Sequence, residues 1–104
     1  MITLRAVELG DLALVRTINQ AAFPHVNSQS LADLDWFRVR APYFKVAVRH
    51  DTPVAFLIAL LPNIEYDSPN FQWFKRHRDR FVYVDRIVVA EPGRGLGIGQ
   101  RLYR

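Results

Sequence analysis

Phe81-Val82-Tyr83-Val84-Asp85-Arg86-Ile87-Val88-Val89, followed by Arg94-Gly95-Leu96-Gly97-Ile98-Gly99, sets the architecture of this chain. An apolar run with strand character leads into a glycine-rich turn, and Ile98 and Leu102 continue beyond it with helical spacing. A strand that empties through glycines into a helix makes a place for phosphate. The first backbone N–H groups of a helix lack partners within it and carry partial positive charge. Glycine lets the backbone approach an anion closely, and Arg94 adds a fixed cation with several donors.

These residues resemble the acyl-CoA motif of the GNAT superfamily of N-acetyltransferases, Arg/Gln-x-x-Gly-x-Gly/Ala, with Arg94, Gly97 and Gly99 in register. Pro92 lies one residue further from the strand than the proline usual there. The segment from Ser68-Pro69-Asn70-Phe71 to Val89 is similar to one bacterial branch of that superfamily. A dinucleotide fingerprint fits less well, because the glycines alternate and little chain follows for a second parallel strand. A Walker loop is excluded, since no Gly-Lys-Ser/Thr follows.

The resemblance implies acetyl transfer from acetyl-CoA, as co-substrate, to a primary amine. It implies that backbone groups at Ile87, Val88 and Val89 pair with the pantetheine arm. Arg94, Gly95, Leu96, Gly97, Ile98 and Gly99 would then hold the pyrophosphate. Asp85 is the one acidic residue in the apolar strand, and family members often carry a general base near this point. An amine attacks only when unprotonated, so a base is useful, and an apolar setting would raise a carboxylate's pKa. An Asp85 paired with Arg86 or another arginine is an equally good reading. Regular alternation places those two side chains on opposite faces, so they pair only across a bulge. Tyr83 shares a face with Asp85 and is a candidate for acceptor contact, as are His25 and Asn27 in the loop from Phe23 to Ser30, although packing and a plain polar loop are the simpler roles. The tyrosine that the family often uses as general acid comes after the fifth strand, and Tyr103 does not fill that role.

The composition agrees with a single domain over residues 1–104: half of the residues are hydrophobic and 12% aromatic, enough for a real core. No apolar run is long enough to span a bilayer and no leader precedes the first strand, so the expected location is cytoplasmic. With no cysteine, disulfides and thiolate chemistry are excluded. No histidine has metal-ligand spacing to a carboxylate, so no metal is expected. Twelve of the fourteen basic residues are arginine and the net charge is +4, which suits an anionic ligand such as coenzyme A. The run Lys75-Arg76-His77-Arg78-Asp79-Arg80 could touch a phosphate, an acidic acceptor or nucleic acid. A solvated helix face is its simpler reading.

Residues 2–7 alternate as a first strand. Gly10-Asp11 opens a helix with Leu12, Leu14, Val15, Ile18 and Ala22 on one face. Ser30 and Asp33 have capping-box spacing for a second helix, with Leu31, Leu34 and Phe37 as its stripe and Pro42 as its stop. Tyr43 to Arg49 alternates, and His50-Asp51-Thr52-Pro53 reads as a turn. Val54 to Leu61 is continuously apolar, as in a strand covered on both faces. Ser68-Pro69 starts a short helix with Phe71 and Phe74 inward.

The expected fold is therefore α/β (α+β): a GNAT-like mixed, mostly antiparallel sheet flanked by helices, without the C-terminal strands of the family. The chain stops less than three turns into its last helix, which suggests a fragment and weak or no catalysis from these residues alone. An exposed fourth-strand edge would favour a homodimer. Two other classes are a non-catalytic acyl-CoA-binding or regulatory remnant and a basic nucleic-acid-binding module. The scattered basic residues and the glycine turn argue against the second.

Overall fold

The computed structural model describes residues 2–23, 26–61, 66, 68–77, 82–90 and 97. Four strands, β1 (Ile2–Ala6), β2 (Tyr43–Arg49), β3 (Thr52–Leu60) and β4 (Tyr83–Val89), form one sheet in chain order, antiparallel at every junction. Three helices accompany it: α1 (Leu12–Ala21), α2 (Leu31–Arg40) and α3 (Pro69–His77). The helix expected from Ile98 onward, Phe81, and the side chain of Phe74 lie outside the described residues.

Local chemistry explains the boundaries. A 3₁₀ turn at Leu9–Asp11 precedes α1, and its Asp11 carboxylate accepts from the Glu8 N–H at 2.8 Å and from Arg5 at 2.7 and 2.9 Å. That bond to Arg5 holds the Asp11 carboxyl below its ordinary range. The Ser30 hydroxyl accepts from the Asp33 N–H at 3.0 Å while the Asp33 carboxylate accepts from the Ser30 N–H at 2.9 Å, a complete capping box for α2. Ala41, ahead of Pro42, is extended (ψ 128°), which ends that helix.

Two expectations about helix faces are corrected. Val15 and Ile18 are buried as the spacing requires, but Leu14 is exposed. Likewise Leu34 and Phe37 are buried while Leu31, in the first turn of α2, is not. Each helix presents a narrower stripe to the sheet than its apolar residues suggested.

The turn between β2 and β3 is tighter than expected. His50 and Asp51 alone make it, both with positive φ (52° and 61°), as a two-residue hairpin turn whose twist suits antiparallel strands requires. Thr52 and Pro53 already belong to β3. Pro53 is tolerated because the register slips here: Ala47 faces Ala55 and Val48 faces Pro53, leaving Val54 as the extra residue of a bulge.

The apolar residues of the sheet divide between its two faces. Phe44, Val46, Phe56, Ile58, Leu60 and Val88 pack with Val15, Ile18, Leu34, Phe37 and Phe71, so α1, α2 and α3 lie against this side. On the other side Ala47, Ala55, Leu57 and Ala59 form a second cluster with Ile87, Val84 and Val89 at its border. Residues 54–60 of β3 are buried throughout, as expected for a central strand, but Leu61, expected to continue it, lies beyond β3 and is exposed.

Candidate functional site

A second bulge places the chemistry. In the pairing of β3 with β4, Ile58 faces Arg86 and Ala59 faces Val84, so Asp85 is the extra residue. Without it, Asp85 and Arg86 would point to opposite faces. With it, both turn toward the helices, while Val84 and Ile87 on either side pack on the other face. The bulge is thus what allows the Asp85–Arg86 pair, and the regular-strand picture of residues 85 and 86 does not hold.

The Arg86 Nε donates to Asp85 Oδ2 at 2.7 Å, and the two side chains are only 6% and 5% exposed. The other oxygen, Oδ1, accepts from the Tyr66 hydroxyl at 2.7 Å. Arg86 Nη1 donates to Asn19 Oδ1 (3.0 Å) and to the Asn27 carbonyl (3.1 Å), which also accepts from Asn19 Nδ2 at 2.9 Å. Burying two charges is costly unless they are paired and their remaining donors and acceptors are met, and this network meets them.

Tyr66 is seated by rings. Its ring lies 5.8 Å from Trp36, 5.4 Å from Phe37 and 5.7 Å from Phe71, while its carbonyl accepts from Gln72 Nε2 at 2.6 Å. Burial, reinforced by the hydrogen bond to the Asp85 carboxylate, pushes the Tyr66 hydroxyl well above its ordinary range. It therefore stays a proton donor to that carboxylate.

In front of this network lies a cleft of about 360 Å³, lined by Val26, Asn27, Tyr66, Ser68, Pro69, Tyr83, Asp85 and Arg86. Of the residues singled out in the sequence, it brings Asp85, Tyr83 and Asn27 together. Sequence reasoning missed Tyr66 and Asn19, and saw Arg86 only as a partner for Asp85. Asn19 carried a signal: it sits four residues after Val15 in the buried stripe of α1, and it is fully buried. His25, Arg94, Gly95, Leu96, Ile98 and Gly99 lie outside the described residues. Gly97 is described, exposed and in a turn with φ +69°, a conformation that glycine adopts and side-chain-bearing residues resist. Val88 is buried against the helices, and Ile87 and Val89 border the opposite cluster, so their side chains serve the core. β4 is the last strand of the described sheet, and Ala90 N–H still pairs back to the Val54 carbonyl at 2.8 Å.

Among the described residues no helix is long and apolar enough to cross a membrane. The basic residues of α3 crowd its last turn, where His77 stacks on Trp73 at 4.3 Å.

Comparison with known proteins gives this geometry a context. No curated protein sequence matches the chain. Among solved structures, Ard1 from Thermoplasma volcanium matches with a TM-score of 0.74 at 18% identity, over 98% of this chain and 58% of that one. An N-acetyltransferase from Staphylococcus aureus Mu50 matches with a TM-score of 0.67 at 19% identity, over 99% and 62%. Arabidopsis thaliana Naa50, in complex with the bisubstrate analogue CoA-Ac-MVNAL, matches with a TM-score of 0.64 at 22% identity, over 98% and 59%. The chain thus spans about three fifths of the length of these structures, and the likeness is one of fold. The family model for the acetyltransferase (GNAT) family matches residues 12–104, a stretch that holds both the Asp85 bulge and the glycine turn, and the chain belongs to that family.

Proposed function

We propose that this chain carries the acetyl-CoA side and part of the acceptor side of an N-acetyltransferase, moving an acetyl group from acetyl-CoA to a primary amine. The observation that carries the reading is the bulge in β4. It turns a carboxylate into a polar cleft on the strand that leads into the glycine turn. Family membership and the fold shared with a structure solved around a bisubstrate CoA analogue support the same assignment.

Most of the catalysis is positioning. The glycine turn with Arg94 holds the phosphates, and the backbone of Ile87, Val88 and Val89 aligns the pantetheine arm by strand-like pairing. The amine enters the cleft beside Tyr83 and Asn27, with His25 as a further contact. Asp85 accepts the proton that the amine loses on attacking the thioester carbonyl, directly or through water. The carbon–sulfur bond then breaks and coenzyme A leaves as its thiolate, which takes a proton from water while Asp85 returns the proton it accepted to solvent. Tyr66 and Arg86 keep the carboxylate aimed into the cleft, and no metal takes part. We place the protein in the cytoplasm and propose a homodimer as its assembly; a strictly monomeric species by light scattering would count against the dimer.

Two measurements test the reading. Acetyl-CoA is titrated calorimetrically into the protein and into Arg94→Ala, and free thiol is followed with a panel of peptide, amino acid, polyamine and aminoglycoside amines. Saturable binding that the variant weakens, with thiol release on one class of amine, is the expected result. Binding without turnover on any amine would mark a non-catalytic acyl-CoA-binding protein. Absence of binding by the folded protein would overturn the assignment.

A further inference from the structure

Arg86 joins three pieces of chain that are far apart in sequence. It holds Asp85 in the β4 bulge, Asn19 in the third turn of α1, and the backbone carbonyl of Asn27 in the loop that walls the cleft. The anchors of that loop are side chains from α1. Asn19 Nδ2 donates to the Asn27 carbonyl, Gln20 Oε1 accepts from the Gln29 N–H at 3.0 Å, Gln20 Nε2 donates to Ser28 Oγ at 2.9 Å, and Arg16 Nε donates to the Gln29 carbonyl at 3.0 Å.

We propose that Arg86 and Asn19 are positioning residues for the acceptor side of the cleft. Neither receives the amine; together they hold the Asn27 carbonyl and the Asp85 carboxylate in one arrangement. The inference rests on the acetyl-transfer reading above and deepens it. A buried ion pair is a poor way to stabilise a core, because apolar residues of similar volume do as well or better. Here the pair stands in the wall of the cleft, and its third connection runs to backbone rather than to another charge. A guanidinium suits the task, since its Nε and Nη1 point to two places at once in a rigid plane. A lysine ammonium at the same site reaches one place or the other. Arg86 also balances the charge of Asp85.

The test separates the two ligands. With the amine found in the panel, kcat and KM are measured for Asn19→Ala and Arg86→Lys, alongside the Kd for acetyl-CoA. Amide exchange at residues 26–29 is followed by mass spectrometry. Misplacement of an acceptor wall weakens capture of the amine rather than cofactor binding. The amine KM is therefore expected to rise about tenfold, and exchange at the loop to quicken by a similar factor, with acetyl-CoA affinity within about twofold of the parent. Gln20→Ala, which removes bonds to Ser28 and Gln29 of the loop and one from Asn19 Nδ2, is expected to show a smaller change in the same direction, and it carries the test should Arg86→Lys fail to fold. Unchanged amine kinetics in both principal variants would overturn the inference and leave the acetyl-transfer reading intact. Loss of acetyl-CoA affinity in step with the amine KM would also overturn it, since that marks general loosening. A parent protein that releases no thiol with any amine removes the reaction, and this inference with it.

Discussion

Among the described residues the sheet contains two bulges, and they differ in what they hold. The one at Val54 lies next to the hairpin turn and keeps apolar company, with Pro53 beside it and the second apolar cluster behind it. The one at Asp85 holds a carboxylate ion-paired to its neighbour and bonded to a phenol, in the wall of a cleft. The backbone device is the same: one strand gains a residue and its alternation shifts. At Val54 the shift accommodates a proline at the strand entrance. At Asp85 it brings two charged side chains to one face, where burial would be costly without the partners that meet them. A bulge lined by apolar residues reads as construction, and a bulge lined by a satisfied ion pair at a cleft reads as a site.

The largest effect is expected where the comparison is most direct. Arg86→Met leaves a buried carboxylate without its cation and should cost about 3–5 kcal/mol in urea unfolding. The double change Asp85→Leu with Arg86→Leu should recover most of that stability while abolishing acetyl transfer. Equal losses in the single and double variants would mean that the pair itself stabilises the fold. Val54→Ala, at the other bulge, removes two buried methyl groups and should cost about 2 kcal/mol with acetyl-CoA affinity unchanged. A change in affinity there would erase the distinction between the two bulges.

The Arg5–Asp11 pair is the intermediate case, an ion pair at a chain turn with its arginine partly open to water. Asp11→Asn should cost about 1–2 kcal/mol at neutral pH. Its sign is set by the lowered Asp11 pKa. The contribution is complete above the ordinary value of 3.8 and is lost as pH falls through the lower folded value. Melting curves of the two proteins should therefore converge on acidification below the ordinary value, and a gap that did not narrow as pH fell would deny the ion pair its role. The smallest effect is expected from Leu14→Ser, at a position the sequence pattern assigned to the core and the structure leaves in water. It should stay within about 0.5 kcal/mol.

What could be read in the sequence was local. The Ser30–Asp33 capping box, the stop before Pro42 and the helix start at Ser68-Pro69 all appear because each depends on residues a few positions apart. Alternation placed Phe44 and Val46 on the buried face of β2 correctly. The bulge at Val54 escaped and the one at Asp85 was visible only as the condition for an Asp85–Arg86 pair, because nothing in a period of two announces the residue that will be skipped. For that reason Thr52 and Pro53 looked like turn residues. Asp85 stood out as the lone acid of its strand, but its phenol partner could not be seen, since Tyr66 belongs to a stretch without periodicity. Arg86 and Asn19 meet across 67 positions of sequence, and no local pattern reports such a pair.

The strand order has a consequence for how the molecule is made. Each strand of the sheet pairs with the one synthesised before it, so β1, β2 and β3 can zip together in the order of their emergence, with the short β2–β3 connection closing fastest. The cleft cannot form on that schedule. Its arginine arrives on the fourth strand, long after Asn19 and Asn27 have left the ribosome, and only then are the helix and the loop tied down. In pulse-labelled refolding, protection at Asn27–Gln29 should therefore lag behind protection of the β2–β3 ladder, so that the chemistry becomes possible only when the fold is otherwise finished.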